Sequence, residues 1–229
     1  MEVSVSSLKI GGRWHAVGIA RDITCRKKRI LALEDVVEKL RKLTDAVTQA
    51  MAAAVEAKDP YTAGHQRRVA DLSYAIATEM SLSKQQTEGV RVAATIHDIG
   101  KLTVPSEILS KPGKINIHEF NIIKEHSQIG YDILKGIEFP CPVAEIILQH
   151  HERFNGSGYP NGLRGDETHI EARIICVADV VEAMANHRPY RPALGIQTAL
   201  DEIVCGRGTL YDPGVVDACV RVFDKGFKF

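Results

Sequence analysis

Two pairs of adjacent polar residues, His97-Asp98 and His150-His151, close apolar helical runs in this chain. Neighbouring residues on an α-helix point about 100° apart, so a pair cannot comfortably chelate one ion from a single face. Such pairs can instead border a space between helices, where the two oxygens of Asp98 would reach two cations. Burying two adjacent imidazoles without a ligand would be costly. The pairs therefore predict helices arranged around a metal centre.

Other titratable residues occupy similar positions. His65 and His126 open or lie within further predicted helices, and Asp179 is a carboxylate inside the apolar run from Ile174 to Val181. A charge in such a run is expected to be paired or bound to a metal. Each histidine taken singly is more often a packed or surface residue than a ligand.

Composition excludes several classes of protein. The 29 Lys and Arg residues balance 29 Asp and Glu residues, which argues against a basic DNA-binding protein. No run approaches the roughly 18 apolar residues of a membrane-spanning helix, and the first residues do not begin a signal peptide. The five cysteines form no Cys-x-x-Cys pair, which disfavours a disulfide framework and a thiolate zinc site. We expect a cytoplasmic protein with no DNA partner and no membrane segment.

The N-terminal segment predicts two different elements. Apolar and polar residues alternate around Gly11-Gly12, which predicts a hairpin with strands near residues 2–10 and 13–21. From about Lys27 the pattern indicates a long helix, either a coiled coil that pairs two copies or a helix packed on its own domain. Its apolar heptad seam consists of Ile30, Leu33, Val37, Leu40, Thr44, Val47 and Met51.

The remainder of the chain is predicted to be helical, with loops marked by glycine and proline. The apolar run from Ile174 to Val181 could be a strand, but its continuation through Ala185 favours a buried helix. The predicted helices span roughly residues 65–80, 84–99, 118–135, 141–152, 169–185, 195–205 and 213–224.

The ordered motifs resemble the HD-GYP family of bacterial cyclic di-GMP phosphodiesterases, a branch of the HD metal-dependent phosphohydrolases. The resemblance covers roughly residues 55–224. Its motifs are His65, His97-Asp98, Lys101, His126, His150-His151, Asp179, and the segments HHERFNGSGYPNGL and ADVVEAMANHRPYRPA.

A second resemblance concerns the N-terminus. The segment GIARDITCRKK is similar to the exit of a PAS sensor domain, which we favour over the alternative that the hairpin is a short β cap of the main domain. The implied organisation is a PAS-like remnant over residues 1–26, a linker helix over 27–54 and an HD-GYP catalytic domain over 55–229. The expected fold is mostly α, an HD-type helical bundle around a two-metal site.

The HD-GYP resemblance implies how the ions are held. Asp98 would bridge two metals, with the remaining donors divided between them. Some members bind a third metal through a glutamate four residues before the first histidine, where this chain has Tyr61. Iron or manganese is the usual metal, and zinc, cobalt or nickel also suits these donors. One ion would take His65, His97 and Asp179, and the other His126, His150 and His151.

The resemblance also implies roles in catalysis and substrate binding. Lys101 would place positive charge at a phosphate oxygen, although it could be a surface lysine at a helix end. Gly158 and Tyr159 would hold the nucleotide, with Tyr159 stacking on guanine, unless this loop is a plain helix connection. Arg188 and Arg191 would grip phosphate or guanine. The Glu152 carboxylate is expected to orient a ligand imidazole.

The implied activity is hydrolysis of cyclic di-GMP to pGpG and/or GMP, under control of an upstream sensor. Two alternatives stay open: an HD phosphohydrolase acting on another cyclic dinucleotide or nucleotide, and a cyclic di-GMP receptor without hydrolysis. The implied partners are a second copy of the chain, joined through the linker helix, and GGDEF-type signalling proteins.

Overall fold

The computed structural model describes residues 2–58, 64–111, 113–186 and 193–229. The chain divides into two compact units, Met1–Val47 and Thr48–Phe229. In the described ranges, no helix combines the length and the apolar character that a bilayer crossing requires.

The first unit begins with the predicted hairpin. Strands β1 (Glu2–Ile10) and β2 (Arg13–Arg21) pair antiparallel, with Ile10 opposite Arg13. Gly11 and Gly12 join them with φ of 57° and 82°, a left-handed turn that suits the twist of a hairpin. The two strands are confirmed, whereas the relation to a PAS domain stays a prediction.

Helix α1 spans Thr24–Lys58 and crosses the division between the units. Asp22 caps its start, because its carboxylate accepts a hydrogen bond from the Thr24 amide at 2.8 Å. The seam residues from Ile30 to Val47 are exposed to solvent. Further along, Thr48, Ala52 and Val55 are buried in the second unit.

The second unit is helical, which confirms the predicted fold class. Its caps follow the sequence: Ser83 and Asn116 form capping boxes, and Asp212 precedes Pro213 at the first helical position. Short 3-10 helices cover Ile99–Thr103 and Gly165–Glu167. The α-helices are α2 (His65–Glu79), α3 (Lys84–Ile96), α4 (Ser106–Leu109), α5 (Ile117–Lys124), α6 (His126–Leu134), α7 (Val143–Gln149), α8 (Ile170–Ala185), α9 (Ile196–Cys205) and α10 (Pro213–Asp224).

Three of the predicted helices are longer than the helices in the structure. The helix expected over 118–135 is interrupted at Glu125 between α5 and α6, α3 ends at Ile96 rather than at 99, and α7 covers only Val143–Gln149. A histidine lies at each of these ends, and its ring bonds the carbonyl three residues earlier. The side chain thus takes a carbonyl near the point where the regular helix stops.

The core of the second unit lies between α2, α3 and α8. Leu72, Ile76, Ile96 and Ile174 are almost completely buried. Helix α8 carries the apolar run of the sequence, so the buried helix is confirmed over the strand. This apolar packing fixes the helix ends that carry the polar site.

Candidate metal centre

Three histidines at helix ends share one mode of attachment. The Nδ1 atoms of His97, His126 and His150 lie 2.8, 2.5 and 2.6 Å from the main-chain carbonyl three residues earlier. Each carbonyl accepts the Nδ1 proton, which selects the tautomer whose Nε2 carries a lone pair. The three rings therefore direct acceptor nitrogens into the space between the helices.

The Nε2 atoms of two of these rings face each other in an arrangement that favours a bound cation. The Nε2 atoms of His126 and His150 are 3.3 Å apart. Burial lowers the pKa of His126 to about 4 and, aided by neighbouring histidines, that of His150 to about 3, so both rings are neutral near pH 7. With both Nδ1 protons donated to carbonyls, no proton lies between the two lone pairs. A metal ion fits this arrangement, since it would bind both nitrogens.

Asp98 is the central carboxylate, and its side chain is almost fully buried. Its Oδ2 lies 3.5 Å from His97 Nε2 and 4.0 Å from His65 Nε2, while its Oδ1 lies 3.6 Å from His126 Nε2. Burial opposes ionisation, but Lys101 and the surrounding histidines outweigh it and hold the Asp98 pKa well below its usual range. Asp98 is therefore ionised, with one oxygen toward each set of imidazoles.

All seven predicted metal ligands come together around Asp98. In each of two sets of three, one donor atom per residue lies within 4.8 Å of the others. We call the set of His65, His97 and Asp98, extended by Asp179 through a 3.2 Å contact with His65 Nε2, the carboxylate group. We call the set of His126, His150 and His151 the imidazole group.

Close backbone packing explains how Asp98 reaches α6. A Cβ atom on Gly100 would lie 2.0 Å from the His126 carbonyl oxygen and 2.8 Å from the Gly130 nitrogen. Only glycine allows the 3-10 helix after Asp98 to approach α6 so closely. The sequence His-Asp-x-Gly-Lys thus brings the carboxylate between the two groups of imidazoles.

Glu182 is a functional residue that sequence reasoning missed. Its carboxylate accepts the Nδ1 proton of His65, and its Oε1 also receives Arg68 Nε at 2.7 Å. Burial opposes its ionisation, but His65 and Arg68 outweigh burial and lower the Glu182 pKa. Glu182 therefore does for His65 what main-chain carbonyls do for His97, His126 and His150. The only signal was a second acidic residue one turn after Asp179 on α8.

Glu152 has another role than the one predicted. Its buried carboxylate accepts hydrogen bonds from the amides of Asn161 at 2.7 Å, Gly162 at 3.1 Å and Leu163 at 3.1 Å. The expectation that Glu152 orients an imidazole is wrong, since both its oxygens bond main-chain amides of the glycine-rich loop. Glu152 instead anchors that loop.

The anchored loop places Tyr159 beside the metal centre. A Cβ atom on Gly158 would lie 2.4 Å from the Arg153 nitrogen and 2.5 Å from the His151 carbonyl oxygen, so the backbone here lies too close for any side chain. The ring of Tyr159 stacks on His151, with centroids 4.8 Å apart and planes inclined by 30°. Burial raises the pKa of the Tyr159 hydroxyl, which stays protonated.

Of the remaining predicted residues, only Lys101 falls in a described range. Its Nζ lies 2.7 Å from Asp98 Oδ2, and it belongs to the 3-10 helix rather than to an α-helical turn. Arg188, Arg191 and Tyr61 lie outside the described residues.

Known proteins are similar to this chain in sequence and in fold. Residues 49–215 match the HD-domain family. The "Cyclic di-GMP phosphodiesterase response regulator RpfG" of Xanthomonas campestris pv. campestris (strain 8004) is 39% identical over 197 residues, 85% of this chain and 51% of that protein. The "3'3'-cGAMP-specific phosphodiesterase 1" of Vibrio cholerae serotype O1 is 37% identical over 180 residues, 77% of this chain and 41% of that protein.

Solved structures share the fold. The structure of Bd1817, a HDG"Y"P protein from Bdellovibrio bacteriovorus, aligns with a TM-score of 0.58 at 19% identity, covering 70% of this chain and 51% of that one. The chain spans about half the length of RpfG and 41% of the cGAMP-specific relative.

Proposed function

We propose that this chain, which belongs to the HD-domain family, is a metal-dependent phosphodiesterase that hydrolyses cyclic di-GMP to pGpG or onward to GMP. Its resemblance to the HD-GYP phosphodiesterases is confirmed by the HD-domain match and by relatives named for that activity. The observation that carries the proposal is the position of Asp98. One buried carboxylate directs its two oxygens toward two separate sets of imidazole donors.

The donor set supports two divalent cations, one in each group. Nitrogen and carboxylate donors without thiolate suit iron, manganese, zinc, cobalt and nickel. The resemblance to the HD-GYP family favours iron or manganese among them. Bound there, the cations would activate water and neutralise the oxygens of the phosphodiester. Asp98 would be shared between the carboxylate group and the imidazole group.

The chain's own residues complete the site. Lys101 holds an ammonium group against Asp98, where it would also face the phosphate oxygen that gains charge during hydrolysis. Glu182 and the helix-end carbonyls keep the imidazoles in the tautomer that binds metal. Tyr159 offers an aromatic ring for a guanine base, next to His151.

A double variant, H97A/D98A, tests the proposal, with H15A as its control. His15 is an exposed histidine of the first unit. The double variant should lose bound metal and cyclic di-GMP hydrolysis, measured by elemental analysis of anaerobically purified protein and by chromatography of pGpG and GMP. H15A should keep both. Turnover retained in the double variant would remove the metal mechanism.

A second substrate is supported by the relative that is named 3'3'-cGAMP-specific and is 37% identical. Rates with cyclic di-GMP, 3'3'-cGAMP and mononucleotides, under equal metal loading, rank the candidates. We expect the highest kcat/KM with cyclic di-GMP. Tight cyclic di-GMP binding without hydrolysis in excess Mn²⁺ would favour a receptor instead.

Pairing of two copies through α1 is a further part of the proposal. The seam residues Ile30, Leu33, Leu40 and Val47 are all exposed, with Leu33 at 65%. An aligned apolar seam on a long helix is typical of a coiled coil. Analytical ultracentrifugation should find a dimer for the wild-type chain and a monomer for L33D/L40D, whereas a wild-type monomer at micromolar concentration would contradict the pairing.

Organisation and location follow the same reasoning. We assign residues 1–26 to a PAS-like remnant, 27–54 to the linker helix and 55–229 to the catalytic domain. The five cysteines are all free, and Cys25 and Cys205 are exposed, which supports a reducing compartment such as the cytoplasm. Contact with GGDEF-type signalling proteins stays a prediction.

A further inference from the structure

Next to the metal centre, two aromatic rings meet at a right angle. The centroids of Phe120 and Tyr159 are 6.4 Å apart, and their planes are inclined by 83°. Tyr159 stacks on His151, which is a member of the imidazole group, so the two aromatic rings lie next to that group. Phe120 is 41% exposed, so part of its ring is open to solvent.

Lys124 adds a cation to this pair. Its Nζ lies 4.8 Å from the Phe120 centroid and 5.6 Å from the Tyr159 centroid. The side chain is half-buried. Among the described residues, no carboxylate oxygen lies within 4.0 Å of Lys124 Nζ. We call Phe120, Lys124 and Tyr159 the aromatic corner.

Two other lysines of the molecule are paired with carboxylates. Lys135 also lies over a ring, 5.7 Å from the centroid of Tyr131, but it pairs with Asp132 at 2.6 Å. Lys111 pairs with Glu119 at 2.7 Å. Lys124 has no such pairing among the described carboxylates, which leaves its ammonium group available to an anionic ligand beside the candidate metal centre.

The chemistry of a cyclic dinucleotide matches this arrangement. The molecule carries two phosphodiester groups, each with one negative charge, and two purine bases. When one phosphate occupies the metal centre with Lys101, the other lies beyond it and requires its own cation. The bases offer flat rings that stack on exposed aromatic side chains.

We propose that the aromatic corner binds the second half of a cyclic dinucleotide, with Lys124 at the phosphate that is not cleaved and Phe120 against one base. This inference rests on the proposed function and deepens it. It makes the corner a determinant of specificity, because a substrate with a single phosphodiester would not use it.

The variant K124M tests the inference, and K135M is its matched control. K124M keeps the length of the side chain and removes the charge. The measured quantity is the ratio of kcat/KM for cyclic di-GMP to kcat/KM for bis(4-nitrophenyl) phosphate, on the full chain loaded with Mn²⁺. The ratio should fall about tenfold or more in K124M and stay unchanged in K135M. F120A should lower it about fivefold, as loss of one stacked base predicts.

Salt dependence gives a readout that loss of packing would not change. The KM for cyclic di-GMP should rise with KCl in the wild-type protein and rise less steeply in K124M, because one phosphate contact is missing. Thermal melting of each variant checks that it folds.

The outcomes separate this inference from the proposed function. A wild-type protein that hydrolyses the small phosphodiester but not cyclic di-GMP would contradict the proposed function. Wild-type turnover of cyclic di-GMP, with an equal ratio in K124M and K135M, would overturn only the aromatic corner. If neither substrate is hydrolysed, calorimetric affinity for cyclic di-GMP replaces the ratio: a tenfold loss in K124M alone supports the corner, and equal affinities overturn it.

Discussion

The two halves of the candidate metal centre differ in how one imidazole is held: a carboxylate bonds His65, whereas a main-chain carbonyl bonds His97, as it does His126 and His150. In the imidazole group, His126 and His150 are held by main-chain carbonyls, and burial keeps them neutral. In the carboxylate group, His65 lies between Asp179 and Glu182; burial opposes its protonation, but these carboxylates outweigh burial and raise its pKa. A carbonyl cannot be replaced by mutating a side chain, whereas a carboxylate can. His65 is therefore the imidazole whose support can be removed by substituting another side chain, Glu182.

The largest effect is expected at the carboxylate shared by both groups. D98N should remove the metal from both groups, because one anionic oxygen is lost to each, and should lower turnover at least about a thousandfold. D179N should empty only the carboxylate group. Elemental analysis distinguishes the two, and equal metal content in D98N and D179N would contradict the difference between the halves.

Substitutions of Glu182 measure how far metal binding in the carboxylate group depends on the hydrogen bond between Glu182 and His65. E182A should weaken metal binding in that group about 10- to 100-fold, because His65 loses the acceptor that fixes its ring. E182Q should weaken it less, since the amide oxygen still accepts the His65 proton while its NH2 group meets Arg68. Competition with a fluorescent chelator measures both affinities. The exposed Glu138 provides the control E138A, and an E182A affinity equal to that of E138A would refute the supporting role.

The sequence predicted much of this centre but not its supports. His65, His97 and His150 lie at or next to helix ends that periodicity places within a few residues, whereas Asp179 lies inside α8. The family motifs name all seven predicted ligands. Glu182 bonds His65, 117 residues earlier, and no local pattern reports such a partner. Glu152 bonds loop amides nine to eleven residues ahead, again without a periodic signal. The break at Glu125 was missed because residues 118–135 suit a continuous helix, and only the His126 ring bond marks the interruption.

The next prediction concerns the close backbone contact between Gly100 and α6, which allows Asp98 to lie between the two groups. G100A should destabilise the protein by about 1–3 kcal/mol, since its Cβ would meet the His126 carbonyl oxygen at 2.0 Å. The matched control is G136A, whose Cβ meets nothing within 4 Å. Urea unfolding of both variants measures the difference, and equal midpoints would show that the approach tolerates a side chain.

The smallest effect concerns the metal-free protein in mild acid. His126 and His150 have folded pKa values of about 4 and about 3, below the ordinary 6.5, so the unfolded chain binds more protons below pH 6.5. The stabilisation that these two neutral rings contribute to the free energy of unfolding is present above pH 6.5. It is lost as the pH falls toward 4, by up to about 1.4 kcal/mol per pH unit for each proton. His65 has a raised pKa in the folded protein, so its contribution to the free energy of unfolding is present at low pH and is lost as the pH rises.

Urea midpoints of the metal-free protein at pH 7.5 and 5.5 test this difference in sign. The wild-type midpoint should fall on acidification. On acidification, the midpoint of H150Q should fall less than that of the wild type, and the midpoint of H65Q should fall more. Equal slopes for the two variants would contradict the contrast between neutral and carboxylate-paired rings.

The central claim is that one carboxylate joins two cation sites, and electron paramagnetic resonance of the Mn²⁺-loaded chain tests it most directly. Two bound Mn²⁺ ions that share Asp98 should give a spin-coupled spectrum, accompanied by two manganese ions per chain in elemental analysis. A single uncoupled Mn²⁺ per chain, or two ions without coupling, would contradict the account.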